Sequence, residues 1–233
     1  PDSFGNLNFS HAEGLYPENK GSVVWNGSAS GVDLTKFDIS NKEVWRREIR
    51  QSYGIEDNAF VYGFVGRINR DKGINELFAA YQQICAQREN TYLMLVGREE
   101  NEQLLDQSLL QWARENDRVI FCGQTNRVEK FMSAMDVYIL PSYREGFGSA
   151  VVEAEAMGVP VIVSDIPGPT DAMKRDVTGL VVKKADAASL CDGMLRMLDD
   201  SQMAERFSRE AYKFASESFE QKKLAQRILD HNN

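Results

Sequence analysis

Two loops of this sequence combine residue types that suit a phosphorylated ligand. In the first, Gly66-Arg67-Ile68-Asn69-Arg70-Asp71-Lys72-Gly73 joins an apolar run to a stretch of helical period that opens at Ile74. Gly66 lets the chain turn sharply, Arg67 offers a planar fork of donors, and Lys72 sets a point charge beside the unpaired amides of a helix N-terminus. Together they suit a diphosphate. A Gly-Arg turn met alone is ordinarily a solvated basic loop, and its place after a strand adds only modest weight. The second loop runs from Pro141 to Gly148 and opens a helix at Ser149. Gly146 and Gly148 flank that helix start, a second anion-accepting terminus. Glu153 lies in the second turn, roughly 7 Å along the axis from Gly148 at ~1.5 Å per residue, about the offset between a diphosphate and its ribose. Ser149 and Ala150 are small and lie on the same face, so a ligand could pass them and pair its vicinal diol with Glu153. Glu145, in the loop, would meet whatever hangs beyond the phosphates. Taken alone, Glu153 and Glu155 would read as solvated helix residues. The loop is not the dinucleotide fingerprint: the third glycine is missing at position 151, and no acidic residue follows about 20 positions later at the end of a second strand. No Walker A pattern occurs.

These loops need a frame that brings them together. Short runs rich in β-branched and aromatic residues recur at Val23 to Trp25, Phe60 to Val65, Tyr92 to Val96, Val119 to Phe121, Val137 to Leu140, Val161 to Val163 and Leu180 to Val182. Each reads as a strand buried on both faces. Between them lie amphipathic stretches at Asn41 to Gln51, Ile74 to Gln87, Glu102 to Arg114, Val128 to Met135, Ser149 to Met157, Thr170 to Lys174 and Ala187 to Leu198. Two further helices, Ala204 to Glu217 and Glu220 to Leu229, close the chain. Alternation of strand and helix predicts an α/β fold: a Rossmann-like, doubly wound parallel sheet with helices on both faces. In such sheets ligands sit beyond the carboxyl ends of the strands, where both loops emerge. Residues 1–20 show no periodicity and read as a linker or the tail of a preceding element.

Composition narrows the classes. The 233 residues carry 27 Lys+Arg against 35 Asp+Glu, a net charge of −8, which argues against a generic nucleic-acid sleeve. With 42% apolar and 27% charged residues the chain matches a globular protein of one large or two small domains. The longest apolar run, Tyr92 to Val96, falls far short of the roughly 20 residues of a transmembrane segment. Cys85, Cys122 and Cys191 lie in apolar stretches without CxxC spacing and read as buried thiols of a reducing, cytosolic compartment. The start at Pro1-Asp2-Ser3 shows neither an initiator Met nor a signal sequence, so a piece of a longer protein is expected.

Arg67 with Lys72, and then Glu145 and Glu153 in Glu-x7-Glu spacing around Gly146-Phe147-Gly148, strongly resemble the donor-binding domain of the family 4, or group 1, retaining glycosyltransferases. The resemblance runs from about Ser22 to Glu217 and takes in Gly97, Phe121-Cys122-Gly123, Gly158-Val159-Pro160 and Thr178-Gly179-Leu180. The Gly27-to-Asp33 loop and Pro167-Gly168-Pro169-Thr170-Asp171 look like the branch that builds bacterial capsule, exopolysaccharide and glycan-lipid chains.

The resemblance implies one half of the two-domain GT-B fold and transfer of a sugar from a nucleoside diphosphate, UDP first among them. Arg67 and Lys72 would hold the diphosphate as the glycosidic bond breaks, with Gly66, Gly97 and Phe147 in the same binding region. Glu153 would take the ribose hydroxyls and Glu145 those of the donor sugar. Gln124, Thr125 and Asn126 would face the base, and Gly146, Gly148 and Ser149 would let the helix N-terminus approach the phosphates. With no Asp-x-Asp in the chain, no metal or other cofactor is expected, and the Arg/Lys pair plus the helix dipole would replace a metal clamp.

Residues 21–216 would form the donor domain and residues 217–233 a crossover helix, its Leu224, Ile228 and Leu229 short of an apolar partner. The family's amino-terminal domain, which would bind a glycan or polyprenol-linked acceptor, is absent, so the chain alone is expected to be inactive. The full enzyme would work in the cytoplasm, with peripheral attachment to the inner face of the membrane left open. Asp171 departs from the commoner Gly-Gly-x-x-Glu pattern and receives no role, and His11 and His231 read as surface residues. Two rival readings are a nucleotide-sugar epimerase of the same fold, which would need further acid/base groups, and a non-catalytic nucleotide-sugar-binding module.

Overall fold

The computed structural model describes residues 3–231 apart from Tyr16, Glu18, Trp25 and Ala29, and leaves out the side chains of Ile228 and His231. Six strands form one parallel sheet: β1 (Phe60–Val65), β2 (Thr91–Val96), β3 (Val119–Gly123), β4 (Val137–Leu140), β5 (Val161–Ser164) and β6 (Gly179–Val182). Their spatial order is β3-β2-β1-β4-β5-β6. They read as continuous apolar runs because helices cover both faces, and Val61, Tyr62, Phe64, Leu93, Ile139 and Ile162 are fully buried.

The helices are α1 (Phe4–Ala12), α2 (Lys42–Ser52), α3 (Ile74–Cys85), α4 (Gln107–Glu115), α5 (Val128–Ala134), α6 (Ser149–Ala156), α7 (Ala187–Asp199), α8 (Ser201–Ser218) and α9 (Gln221–His231). Helices α3 and α7 pack together, as do α2 with α5 and α6 with α8. The chain lays β2 and β3 on one side of β1, then crosses through α5 to lay β4, β5 and β6 on the other. The order therefore reverses between β1 and β4, which opens a crevice at their carboxyl ends. At the opposite end Asp136 ties the sheet to α2. Its carboxylate accepts from Arg46 and Arg50 at 2.7 Å each and from the Val61 amide at 2.7 Å.

Several sequence expectations meet a different structure. Residues 1–20 contain α1, capped by the Ser3 hydroxyl, which accepts from the Asn6 amide at 3.1 Å. Weak periodicity hid this helix, and its anchors are tertiary. Val23 and Val24 belong to no strand, since β-branched residues without a neighbour to pair with form no ladder, and Trp25 lies outside the described residues. The stretch Glu102 to Arg114 is broken at Asp106, whose carboxylate caps α4 through the Ser108 and Leu109 amides, leaving a separate 3₁₀ turn at Glu102–Leu104. Thr170 to Lys174 is a set of turns rather than a helix, too short to nucleate one. The junction before α9 is firmer than expected. The Val32 amide donates to Phe219 O and the Gln221 amide donates to Val32 O, and Leu224 is buried, whereas Leu229 is exposed. Among the described residues no helix is long and apolar enough to cross a membrane.

Candidate functional site

The crevice between β1 and β4 holds a cavity of about 290 Å³ lined by Gly66, Arg67, Lys72, Glu145, Gly148 and Ser149. A second compartment of about 320 Å³ lies over the end of β2 and is lined by Gly97, Arg98, Gln124 and Thr125, and again by Gly66 and Arg67. The shared residues make the two compartments one cleft. Two glycines permit it. The Gly97 amide donates to Gly123 O at 2.9 Å, and a Cβ at Gly97 would run into the carbonyl oxygen of Gly66. Gly148, at φ +83°, turns the chain so that the first amides of α6 open toward the cleft.

The charged groups of the cleft are engaged with one another. Lys72 Nζ donates to Glu145 Oε1, which also accepts from Ser142 Oγ at 2.7 Å. Both side chains are largely buried, at 17% and 13% exposure. Arg67 is open to solvent and reaches Glu100 at 3.3 Å, where Arg98 also pairs. The Arg98 hydrogen bond comes first among the causes that hold the Glu100 carboxyl below the usual range. Glu153 is half-buried one turn into α6. Burial pushes its carboxyl up, Lys36 opposes the shift, and Glu129 adds to it. Lys36 also lies 3.9 Å from Glu129, whose side chain is 2% exposed. Among the described residues, no three His, Cys, Asp or Glu side chains are grouped as metal ligands.

Size alone does not select this site. A cavity of about 540 Å³ lies at the amino-terminal ends of the strands, between Lys42, Arg46, Asp136 and Met197. Its cations are already satisfied, Lys42 by Gly158 O at 2.8 Å and Arg46 by Asp136.

The sequence matches the family described as glycosyl transferases group 1 over residues 46–214. The chain belongs to this family. It is 31% identical over 205 residues to the capsular polysaccharide biosynthesis glycosyltransferase CapM of Staphylococcus aureus, covering 88% of this chain and 53% of that protein. It is 29% identical over 174 residues to the UDP-Gal:alpha-D-GlcNAc-diphosphoundecaprenol alpha-1,3-galactosyltransferase of Escherichia coli, covering 73% of this chain and 44% of that one. Anabaena HepE in complex with UDP superimposes with a TM-score of 0.85 at 23% identity, over 99% of this chain and 62% of HepE. Its complex with UDP and glucose gives 0.75 at 26% identity, over 86% and 54%. The fold is that of GT-B glycosyltransferases, and the group 1 chain spans about half the length of these curated relatives.

Within this group 1 domain, the expected Arg67, Lys72, Glu145, Gly148 and Ser149 come together around one compartment. Gly97, Gln124 and Thr125 line the other. Asn126 and Glu153 line neither, and Glu153 sits deeper along α6. Phe147 turns its side chain into the core against Phe219, with ring centroids 5.5 Å apart, and lines neither compartment. Gly146 O accepts from Asn6 Nδ2 of α1. Asp171 gains a structural role, since its carboxylate accepts from the Gly5 amide at 2.9 Å. Glu155 is fully buried, and burial pushes its carboxyl well up.

Sequence reasoning missed Arg98, although a signal was present. Val65-Gly66-Arg67 and Val96-Gly97-Arg98 repeat at the ends of neighbouring strands, with Val65 paired to Val96. Lys36 and Glu129 carried no comparable signal.

The raised Glu153 carboxyl gives a pH expectation. The resemblance assigns Glu153 to a ribose diol, which the ionised carboxylate would bind best, and a raised pKa means that protonation begins at higher pH than for an ordinary glutamate. Affinity for UDP-glucose, titrated by calorimetry, should therefore fall on acidification above the usual glutamate range, and Glu153→Gln should flatten that fall. A profile identical in both proteins would separate Glu153 from the ligand.

Proposed function

We propose that this chain is the donor-binding half of a retaining glycosyltransferase that uses a nucleoside diphosphate sugar, UDP being the favoured nucleotide, in bacterial surface polysaccharide synthesis. The observation that carries the reading is the cleft at the strand switch point. There Lys72, Arg67 and the open amides of α6 converge on one compartment beside Glu145. UDP is supported by the UDP and glucose held by HepE and by the UDP-sugar in the name of the Escherichia coli relative. CapM supports capsule synthesis.

In this reading the diphosphate lies against Lys72, Arg67 and the α6 N-terminus, the ribose toward Glu153 and the base toward Gln124 and Thr125. An acceptor hydroxyl oxygen bonds to the anomeric carbon as the bond from that carbon to the β-phosphate oxygen breaks. The nucleoside diphosphate leaves with the electron pair, and the acceptor proton passes to the departing phosphate on the same face, which retains configuration. The chain's cations and helix amides stabilise that leaving charge in a partly dried cleft. Because the chain spans about half of its relatives, transfer is proposed for a whole protein that also holds a glycan or lipid-linked acceptor, and not for this chain alone. The cytoplasm is the proposed place of work, in keeping with three cysteines that form no disulfide.

Because Lys72, Arg67 and the α6 amides supply positive charge themselves, UDP should bind without added metal. Calorimetry should give the same UDP affinity with EDTA as with Mg²⁺. An absolute Mg²⁺ requirement would refute the metal-free part, and no UDP binding under either condition would refute the donor site.

A further inference from the structure

The ladder between β1 and β4 does not reach the cleft. It pairs Tyr62 with Val137 and Gly63 with Tyr138, so the loops that carry Lys72 and Glu145 leave the sheet before strand register has set their spacing. The loops set it themselves. The Tyr143 amide donates to Asp71 O at 2.8 Å, the Tyr143 hydroxyl donates to Glu76 Oε1 at 2.6 Å, and Arg144 pairs with the Asp71 carboxylate at 2.7 Å. Every donor comes from the loop before α6, and every acceptor from the loop before α3 or from its first turn. The approach is close: a Cβ at Gly73 would run into Pro141 O.

These bonds differ in weight. Arg144 and Asp71 are both more than half exposed, so water competes for their charges. The bond between Tyr143 and Glu76 is more protected. Glu76 Oε2 is buried and has no hydrogen-bond partner among the described residues, which leaves the carboxylate relying on the Tyr143 hydroxyl at its other oxygen. Burial, and after it the Glu76 carboxylate, pushes the Tyr143 hydroxyl up to about 12, with Arg70 opposing, so the tyrosine keeps the proton it donates throughout the neutral range. A buried carboxylate that loses its donor must find water, and parting the two loops would admit it.

Tyr143 and Glu76 line neither compartment of the cleft, and Tyr143 lines instead a cavity of about 230 Å³ beside Asn6 and Phe9 of α1. Any effect on a ligand in the cleft must therefore pass through the neighbouring residues. Asp71 directly precedes Lys72, and Tyr143 stands two residues before Glu145. We propose that Tyr143 and Glu76 are positioning residues of the donor site: their hydrogen bond, with the Tyr143 amide on Asp71, locks the two loops together and so sets Lys72 for the diphosphate with Glu145 beside it. This rests on the donor reading above, and adds to it the device that arranges the cation and the carboxylate before a ligand arrives.

Calorimetry of UDP, run well below the melting midpoint of each variant, reads the lock. Tyr143→Phe and Glu76→Ala should each weaken UDP by roughly tenfold, and the double variant no more than either, because both remove one bond. Glu76→Gln keeps an oxygen for the hydroxyl and should stay within about twofold of the parent. The gain expected from Glu145→Gln, about tenfold in the parent, should shrink to about twofold in the Tyr143→Phe background, since Glu145 is no longer held against Lys72. A loss of global stability would not move that coupling. In the ligand-free protein, the amides of residues 143 and 72 should exchange about tenfold faster or more in Tyr143→Phe, with those of β1 and β4 unchanged. Unchanged UDP affinity in Tyr143→Phe, equal losses in Glu76→Gln and Glu76→Ala, additive losses in the double variant, or faster exchange throughout β1 and β4 would each overturn the lock. Absence of UDP binding by the parent chain would instead refute the donor reading, and exchange at positions 143 and 72 would still read the lock.

Discussion

Lys72→Ala should weaken UDP binding by about 2–4 kcal/mol, roughly 30-fold or more, whereas Glu145→Gln should strengthen it by about tenfold. The opposite signs come from one contact. Lys72 Nζ and Glu145 Oε1 are hydrogen-bonded to each other, both largely buried in the lining of the compartment between β1 and β4. A diphosphate entering there must take Lys72 from Glu145 or share it. Removing the lysine leaves the Glu145 carboxylate facing the phosphates without compensation; removing the carboxylate's charge releases the lysine to them. Sequence reasoning alone would assign Glu145 to the sugar and leave nucleotide binding indifferent to it, and the ion pair changes that expectation. In a whole enzyme Glu145→Gln should nevertheless transfer poorly, because a neutral amide with one acceptor oxygen holds the sugar hydroxyls more weakly than a carboxylate with two. Calorimetry of UDP with the two single variants and the double variant isolates the coupling. Equal weakening by both single substitutions would mean that Lys72 and Glu145 bind the nucleotide side by side rather than in competition.

Asp136→Ala should cost about 3–5 kcal/mol of stability, enough to lower the melting midpoint by roughly 10 °C. Arg50 is 1% exposed, and its guanidinium spans the Ala59 carbonyl at 2.8 Å, the Ala134 carbonyl at 3.1 Å and Asp136. Removing the carboxylate strands a buried cation and also frees the Val61 amide at the start of β1. UDP affinity measured well below the midpoint should not change, since Asp136 lies at the opposite end of β4 from the cleft. Thermal unfolding followed by circular dichroism reads the first effect. A midpoint within about 2 °C of the parent would show that the carbonyls alone satisfy Arg50.

Much of this protein is legible from its residues in order. Six of the seven expected strands are present within a residue or two, because a strand buried on both faces must be apolar throughout and leaves a short uninterrupted run. The residue types suited to a phosphate were legible for a similar local reason. Glycines, an arginine, a lysine and a helix start fall within a few positions of each other, so their chemistry is visible before their geometry. What local pattern could not show depends on partners distant in sequence. Helix α1 has little periodicity and is held by Asp171 and Gly146, more than 130 positions away. Phe147 sits among the binding residues in sequence and yet packs in the core, because Phe219 arrives there from the far end of the chain. Lys36 meets Glu129 and bears on Glu153 only because three separate segments converge. Sequence by itself determined the kind of sheet and which charged and glycine residues its loops bring to the carboxyl ends of the strands. Only the tertiary structure decided that Lys72 and Glu145 hold each other, that the cleft opens between β1 and β4, and that α1 walls a second cavity, because each of these is a contact between segments whose sequences carry no record of one another.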